Sequence, residues 1–109
     1  MIQMLTPLEL KCVELVAQHN WTNFRSDGLR VKHRKRTGVG RYVYLEDALN
    51  QPLADGEYGP EPSRTIEMDG LELGLDFVVA VTSGRIDYLE LVTPSDSGWD
   101  GEERNWRVT

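Results

Sequence analysis

Residues 75–93 read LDFVVAVTSGRIDYLELVT, and this stretch decides the fold class. Two β-branched and aromatic runs flank Ser83-Gly84, and glycine suits the positive φ of a tight hairpin turn. A two-residue loop places Val81 opposite Ile86, Val79 opposite Tyr88, Phe77 opposite Glu90 and Val78 opposite Leu89. Both faces then carry apolar side chains. That pattern fits a central hairpin covered by a helix on one side.

Upstream, RTIEM (residues 64–68) reads as a short strand closed by the turn pair Asp69-Gly70. Residues 48–63, ALNQPLADGEYGPEPS, hold three prolines and two glycines and read as a long loop. Residues 28–47, GLRVKHRKRTGVGRYVYLED, read as two further strands joined by a glycine-containing turn. At the start, LTPLEL (residues 5–10) places Thr6 at the N-cap, Pro7 in the first helical position and Glu9 third, a capping box. Leu10, Val13, Val16 and Ala17 follow at helical spacing, so a helix is expected over residues 7–19. Downstream, residues 94–109 are polar and turn-rich. The expected architecture is one α+β domain over residues 1–109, an N-terminal helix packed on an antiparallel sheet of four or five strands.

The chain has 109 residues and a net charge of −6, distributed unevenly. Residues 1–41 hold eight cations against three anions, and residues 42–109 hold four against fifteen. Six of the twelve Lys and Arg lie between Arg30 and Arg41. On an extended strand Arg30, Lys32, Arg34 and Arg36 share one face and span roughly 20 Å. Burying such a ladder without partners is prohibitive. It reads as an edge strand guarded against aggregation, as cations neutralised by the acidic half, or as a nucleic-acid groove with Tyr42 and Tyr44 as stacking platforms.

The acids support a different reading. Glu57, Glu61, Glu67, Asp69, Glu72 and Asp76, with Asp100 in the tail, form an expected docking face for a basic protein partner. Tyr58 and Trp99 are its expected aromatic anchors, with Trp106 beside them. The bland alternative is a solvating surface that keeps net charge away from zero.

Catalytic and metal signatures are missing from the sequence. GVGRYV (residues 38–43) lacks the third glycine of a dinucleotide loop and precedes no helical pattern. Histidine occurs only at positions 19 and 33 and cysteine only at 12, so neither a zinc set nor a disulfide is expected. The acidic turn from Asp96 has Gly98 third and Arg107 twelfth, which breaks the calcium-loop pattern. No serine lies in a nucleophile elbow. The expectation is a protein without catalysis, cofactor or metal. The start carries no basic segment followed by a long apolar run, and no stretch is long enough to span a membrane. With a lone thiol, a cytoplasmic home is expected.

Three elements carry a family resemblance: Leu5-Thr6-Pro7 at the start, Thr37 to Tyr42 as a Thr-Gly-x-Gly strand, and Gly84 to Glu90 as a Gly-Arg-Ile-x-x-Leu-Glu run. The chain resembles a family of small uncharacterised bacterial proteins with these elements in this order. Ser83-Gly84 stands where that pattern has Asp-Gly, and Arg41-Tyr42 where it has two aromatics. The resemblance implies a small α+β domain with no catalytic residue to transfer. By analogy it implies an inhibitor-like or immunity-like protein that binds another protein. Nucleic-acid binding through residues 30–36 is the alternative, and self-association as a homodimer through a hairpin edge is the third.

Overall fold

The computed structural model describes residues 3–96 and 98–109. One helix, α1 (Pro7–Asn20), precedes seven strands: β1 (Leu29–Arg36), β2 (Gly40–Asp47), β3 (Gly56–Tyr58), β4 (Ile66–Met68), β5 (Leu71–Thr82), β6 (Arg85–Val92) and β7 (Trp106–Val108). The order across the sheet is β1-β2-β6-β5-β4-β7, with β3 also paired to β5 and every pairing antiparallel. The α+β class is as expected, but seven strands replace the four or five. The extra two, β3 and β7, come from segments that read as loop and tail. Gly56–Tyr58 lies in the proline- and glycine-rich stretch and Trp106–Val108 in the polar tail, and neither neighbourhood reads as a strand. These strands exist because twelve-residue β5, at ~3.3 Å per residue, is long enough to pair with β3 and β4 end to end, and β4 in turn pairs with β7.

The helix begins where the capping box places it. Thr6 Oγ1 accepts from the Glu9 N–H at 3.2 Å, and the Thr6 N–H donates to Glu9 Oε1 at 2.9 Å. Thr6→Ala is expected to lower stability by about 1 kcal/mol, read from the urea midpoint at unchanged slope. An unchanged midpoint would mean that the other partners of Glu9 hold the helix start alone. Leu8, Cys12, Val13 and Val16 from α1 join Val43, Leu75, Val79, Leu89 and Leu91 from the sheet in one buried cluster.

Two bulges revise the expected registers. Ser83 (φ 53°) and Gly84 (φ 78°) both occupy the left-handed region, as a type I′ turn demands. Val81 faces Ile86, but Asp87 is then left unpaired, so Val79 faces Leu89, Phe77 faces Leu91 and Val78 faces Glu90. The expected pairs beyond Val81–Ile86 are each displaced by one residue. The bulge thus gathers Phe77, Val79, Leu89 and Leu91 on the helix side, and leaves Tyr88 and Glu90 on the other.

The second bulge lies at Lys32. Val31 pairs with Leu45, yet His33 pairs with Tyr44 and Arg34 with Val43. The four cations therefore do not share a face. Arg34 and Arg36 turn to the helix side beside buried Val43 and Arg41, while Arg30 pairs with exposed Glu46 on the opposite side. The physical reason is burial: Leu29 and Val31 are in the core. Without the bulge, the same strand face would have to carry Lys35 past it toward the helix.

Candidate docking face and the ion cluster behind it

Among the described residues no second helix lies over the sheet face away from α1. Across β3, β5, β6, β2 and β1, paired positions form the row Glu57, Ala80, Tyr88, Tyr44 and His33. The adjacent row runs Val78, Glu90, Tyr42 and Lys35. Small residues on β5 leave room for the rings on β6 and β2. Tyr42 and Tyr88 meet edge to face with centroids 5.3 Å apart, and Tyr44 lies 6.0 Å from each of them. His33 stacks on Tyr44 at 4.3 Å. The three tyrosines are half-buried and His33 is exposed.

Two phenols sit beside carboxylates. Tyr88 donates to Glu57 Oε1 at 3.3 Å. The charge of Glu90, and then its hydrogen bond, raise the Tyr42 phenol above its ordinary value. Burial, and then the charge of Glu57, raise that of Tyr88. Both phenols therefore remain protonated donors at neutral pH. Among the described residues Glu57, Glu90, Glu46, Lys35 and Lys32 enter no ion pair. The face thus has a cationic edge on β1, an aromatic band on β2 and β6, and free carboxylates at Glu57 and Glu90.

Most of the other expected site residues are occupied elsewhere. Arg34 donates to both oxygens of Glu9, at 2.8 and 2.7 Å. Arg36 pairs with Glu102 at 2.8 Å and donates to the Asp100 carbonyl. Arg30 donates to the Asp27 and Leu29 carbonyls. Glu67 and Asp69 both face Arg107. Asp100 pairs with Arg104 at 2.7 Å, and hydrogen bonds from Arg104 and the Glu102 N–H hold its carboxyl far below the usual range. Glu61 engages Ser63, and Glu72 is exposed on the far part of β5. Asp76 alone joins Glu57 near the open face, opposite Val92. Tyr58 turns to the helix side against Trp21, with its hydroxyl on the Ala54 carbonyl. Trp99 is 4% exposed, a core residue rather than a surface anchor. The acids therefore do not gather as one docking face.

Behind the platform, on the helix side, lies a buried ion cluster. Fully buried Glu9 receives Arg34 and pairs with Arg41 at 2.9 Å. Arg41, also buried, reaches Glu103, donates to the Gly101 carbonyl at 2.7 Å and lies 5.6 Å from the Trp99 ring centroid. Burial alone would raise Glu9, but hydrogen bonds from Arg34 and the Thr6 N–H, with the Arg41 charge, bring it below its ordinary value. The cluster pins the helix start, β1, β2 and the 99–103 segment together. Among the described residues Arg41 Nε finds no hydrogen-bond partner.

No family model matches this chain. Curated proteins and solved structures likewise yield no match. Among the described residues no three His, Cys, Asp or Glu side chains gather as metal ligands would. Cys12 is buried, and that burial pushes its thiol far above the ordinary range, so it carries no thiolate at neutral pH. No described helix is long and apolar enough to cross a membrane.

Residues 42 and 44 were legible as candidates from the sequence. Tyr88, Glu90 and His33 were not, since their place on the same face depends on both bulges. Their one sequence signal is the β-branched and aromatic content of the two hairpins.

Proposed function

We propose that this protein is a non-catalytic, inhibitor-like binding module of the cytoplasm, and that it docks a basic protein partner on the open face centred on Tyr42, Tyr44 and Tyr88. One observation carries the reading: three mutually packed tyrosines lie uncovered beside two carboxylates that have no cation of their own. Tyrosine supplies large contact area at low entropic cost and is enriched at binding hot spots. A partner arginine stacks on a phenol ring while donating to the adjacent carboxylate. Free carboxylates also steer a cationic partner and select against acidic ones.

The test is a titration of the isotopically labelled full chain, at low salt, with an arginine-bearing decapeptide and separately with single-stranded oligonucleotides. The expected result is that the peptide shifts the resonances of Tyr42, Tyr44, Tyr88, Glu57 and Glu90. The Glu57→Gln, Glu90→Gln double variant should weaken that binding about tenfold, equivalent to 1.4 kcal/mol. Shifts produced by the oligonucleotide alone would overturn the proposal in favour of base stacking on the same rings. Shifts confined to the helix side would overturn both.

A further inference from the structure

Where β2 and β6 part company, the sheet opens into a cleft. Their ladder ends at Tyr44–Tyr88, although β2 continues to Asp47 and β6 begins at Arg85. The cleft measures about 280 Å³. Its lining includes buried Leu45 and Ile86, together with Lys32, Glu46, Asn50 and Arg85.

Three departures from regular structure meet here. The β1 bulge falls on Lys32, a lining residue, and the β6 bulge falls on Asp87, beside lining residue Ile86. Asn50 holds a left-handed φ of 56°. Bulges re-aim side chains and are common beside functional sites, and a left-handed non-glycine residue is sparsely populated.

The polar groups of the lining divide into used and unused. Asp47 accepts from the Leu49 N–H at 2.9 Å and from Gln51 Nε2 at 2.9 Å, and Gln51 is further tied to the Arg25 backbone. These two residues form the wall. The side chains of Lys32, Glu46, Asn50 and Arg85, by contrast, make no hydrogen bond or ion pair with another described residue. Two cations and one carboxylate without partners, together with the hydrogen-bonded carboxylate of Asp47, thus line a small cleft with apolar side chains among its walls.

We infer that this cleft binds a small zwitterion of the α-amino-acid class, its carboxylate taken by Lys32 and Arg85 and its ammonium by Glu46. A lone anion would leave Glu46 facing it, and a lone cation would leave Lys32 and Arg85 facing it. A ligand carrying both charges satisfies all three unpartnered groups, and the cleft has ample room for one. The cleft shares no residue with the tyrosine platform, so loss of binding at one leaves the other intact.

The experiment titrates the full chain with glycine, L-alanine and L-serine, and with propionate and ethylamine as single-charge controls, following the amide resonances of Lys32, Glu46, Asn50 and Arg85. At least one amino acid should shift these resonances saturably. Both controls should bind about tenfold or more weakly. Lys32→Ala and Arg85→Ala, both at exposed positions, should each weaken binding about tenfold while leaving the thermal midpoint in place. Saturable binding of propionate as tight as that of the amino acids would overturn the zwitterion assignment. No shift with any of the three amino acids would overturn the site.

Discussion

Glu9→Gln is expected to lower the free energy of unfolding by about 3 kcal/mol, the scale seen when one member of a buried ion pair is removed. Glu9 is fully buried and accepts from two arginines and from its own helix cap. Glutamine keeps the size and one acceptor oxygen, so the loss is chiefly the charge. Arg34 keeps partial access to water and can turn outward, since its side chain is 30% exposed. Arg41 cannot, and it already carries an unpartnered Nε. Glu103 remains to it, which holds the loss to the lower end of the range. The double variant Glu9→Gln, Arg41→Met should be more stable than the single Glu9→Gln, because it removes the stranded charge. Denaturant unfolding of the four species of this cycle measures the coupling. Additive losses would show that the cluster contributes nothing as a unit.

Glu9 titrates below its ordinary value of 4.5 in the folded protein. Its stabilisation is therefore fully present above the unfolded-state value and is lost as pH falls through the folded-state value. Wild-type stability should decline on acidification below about pH 4.5, and Glu9→Gln should decline less steeply over that window. Parallel curves would remove Glu9 as a source of acid sensitivity.

The second large effect concerns Trp99. Its ring is buried, its indole N–H donates to the Glu102 carbonyl at 2.9 Å, its backbone N–H donates to the Gly38 carbonyl at 3.0 Å, and Arg41 lies over it. Trp99→Ala is expected to cost about 3–5 kcal/mol, the range for emptying an aromatic site in a core. Tyr88→Ala, on the uncovered face, should cost about 1 kcal/mol or less yet weaken peptide binding strongly. The contrast separates core from docking surface. A Trp99→Ala variant of normal stability that no longer binds the basic peptide would reverse the two assignments. The 99–104 segment is then better seen as part of the fold: it completes the helix-side layer by Trp99 packing and by pairs to Arg36 and Arg41.

The same contrast explains the internal fate of the charge asymmetry. The basic first part and the acidic tail meet in Arg36–Glu102 and Arg41–Glu103, and β1 meets the helix in Arg34–Glu9. Of the readings for the cationic strand, neutralisation by the acidic half describes Arg36, on Glu102, while Arg34 is neutralised by Glu9 of the helix instead. Lys35 and Lys32 remain exposed on an outer strand, where charge discourages pairing with another sheet.

The amino-acid order by itself determined the helix from Thr6 onward, the Ser83-Gly84 hairpin and the α+β class. Each depends on residues close in the chain, whose caps, turns and periodicity are local. Tertiary structure decided β3 and β7, the bulges at Lys32 and Asp87 and therefore which side chains share a face. A bulge forms where packing of distant residues outweighs regular pairing, and inserting one residue reverses every side chain beyond it. That is why Arg34 turned to the helix side beside Glu9, and why Tyr88 came to lie beside Tyr42 and Tyr44. Trp99 left the surface for another reason: its backbone N–H meets the Gly38 carbonyl, 61 positions away in the chain.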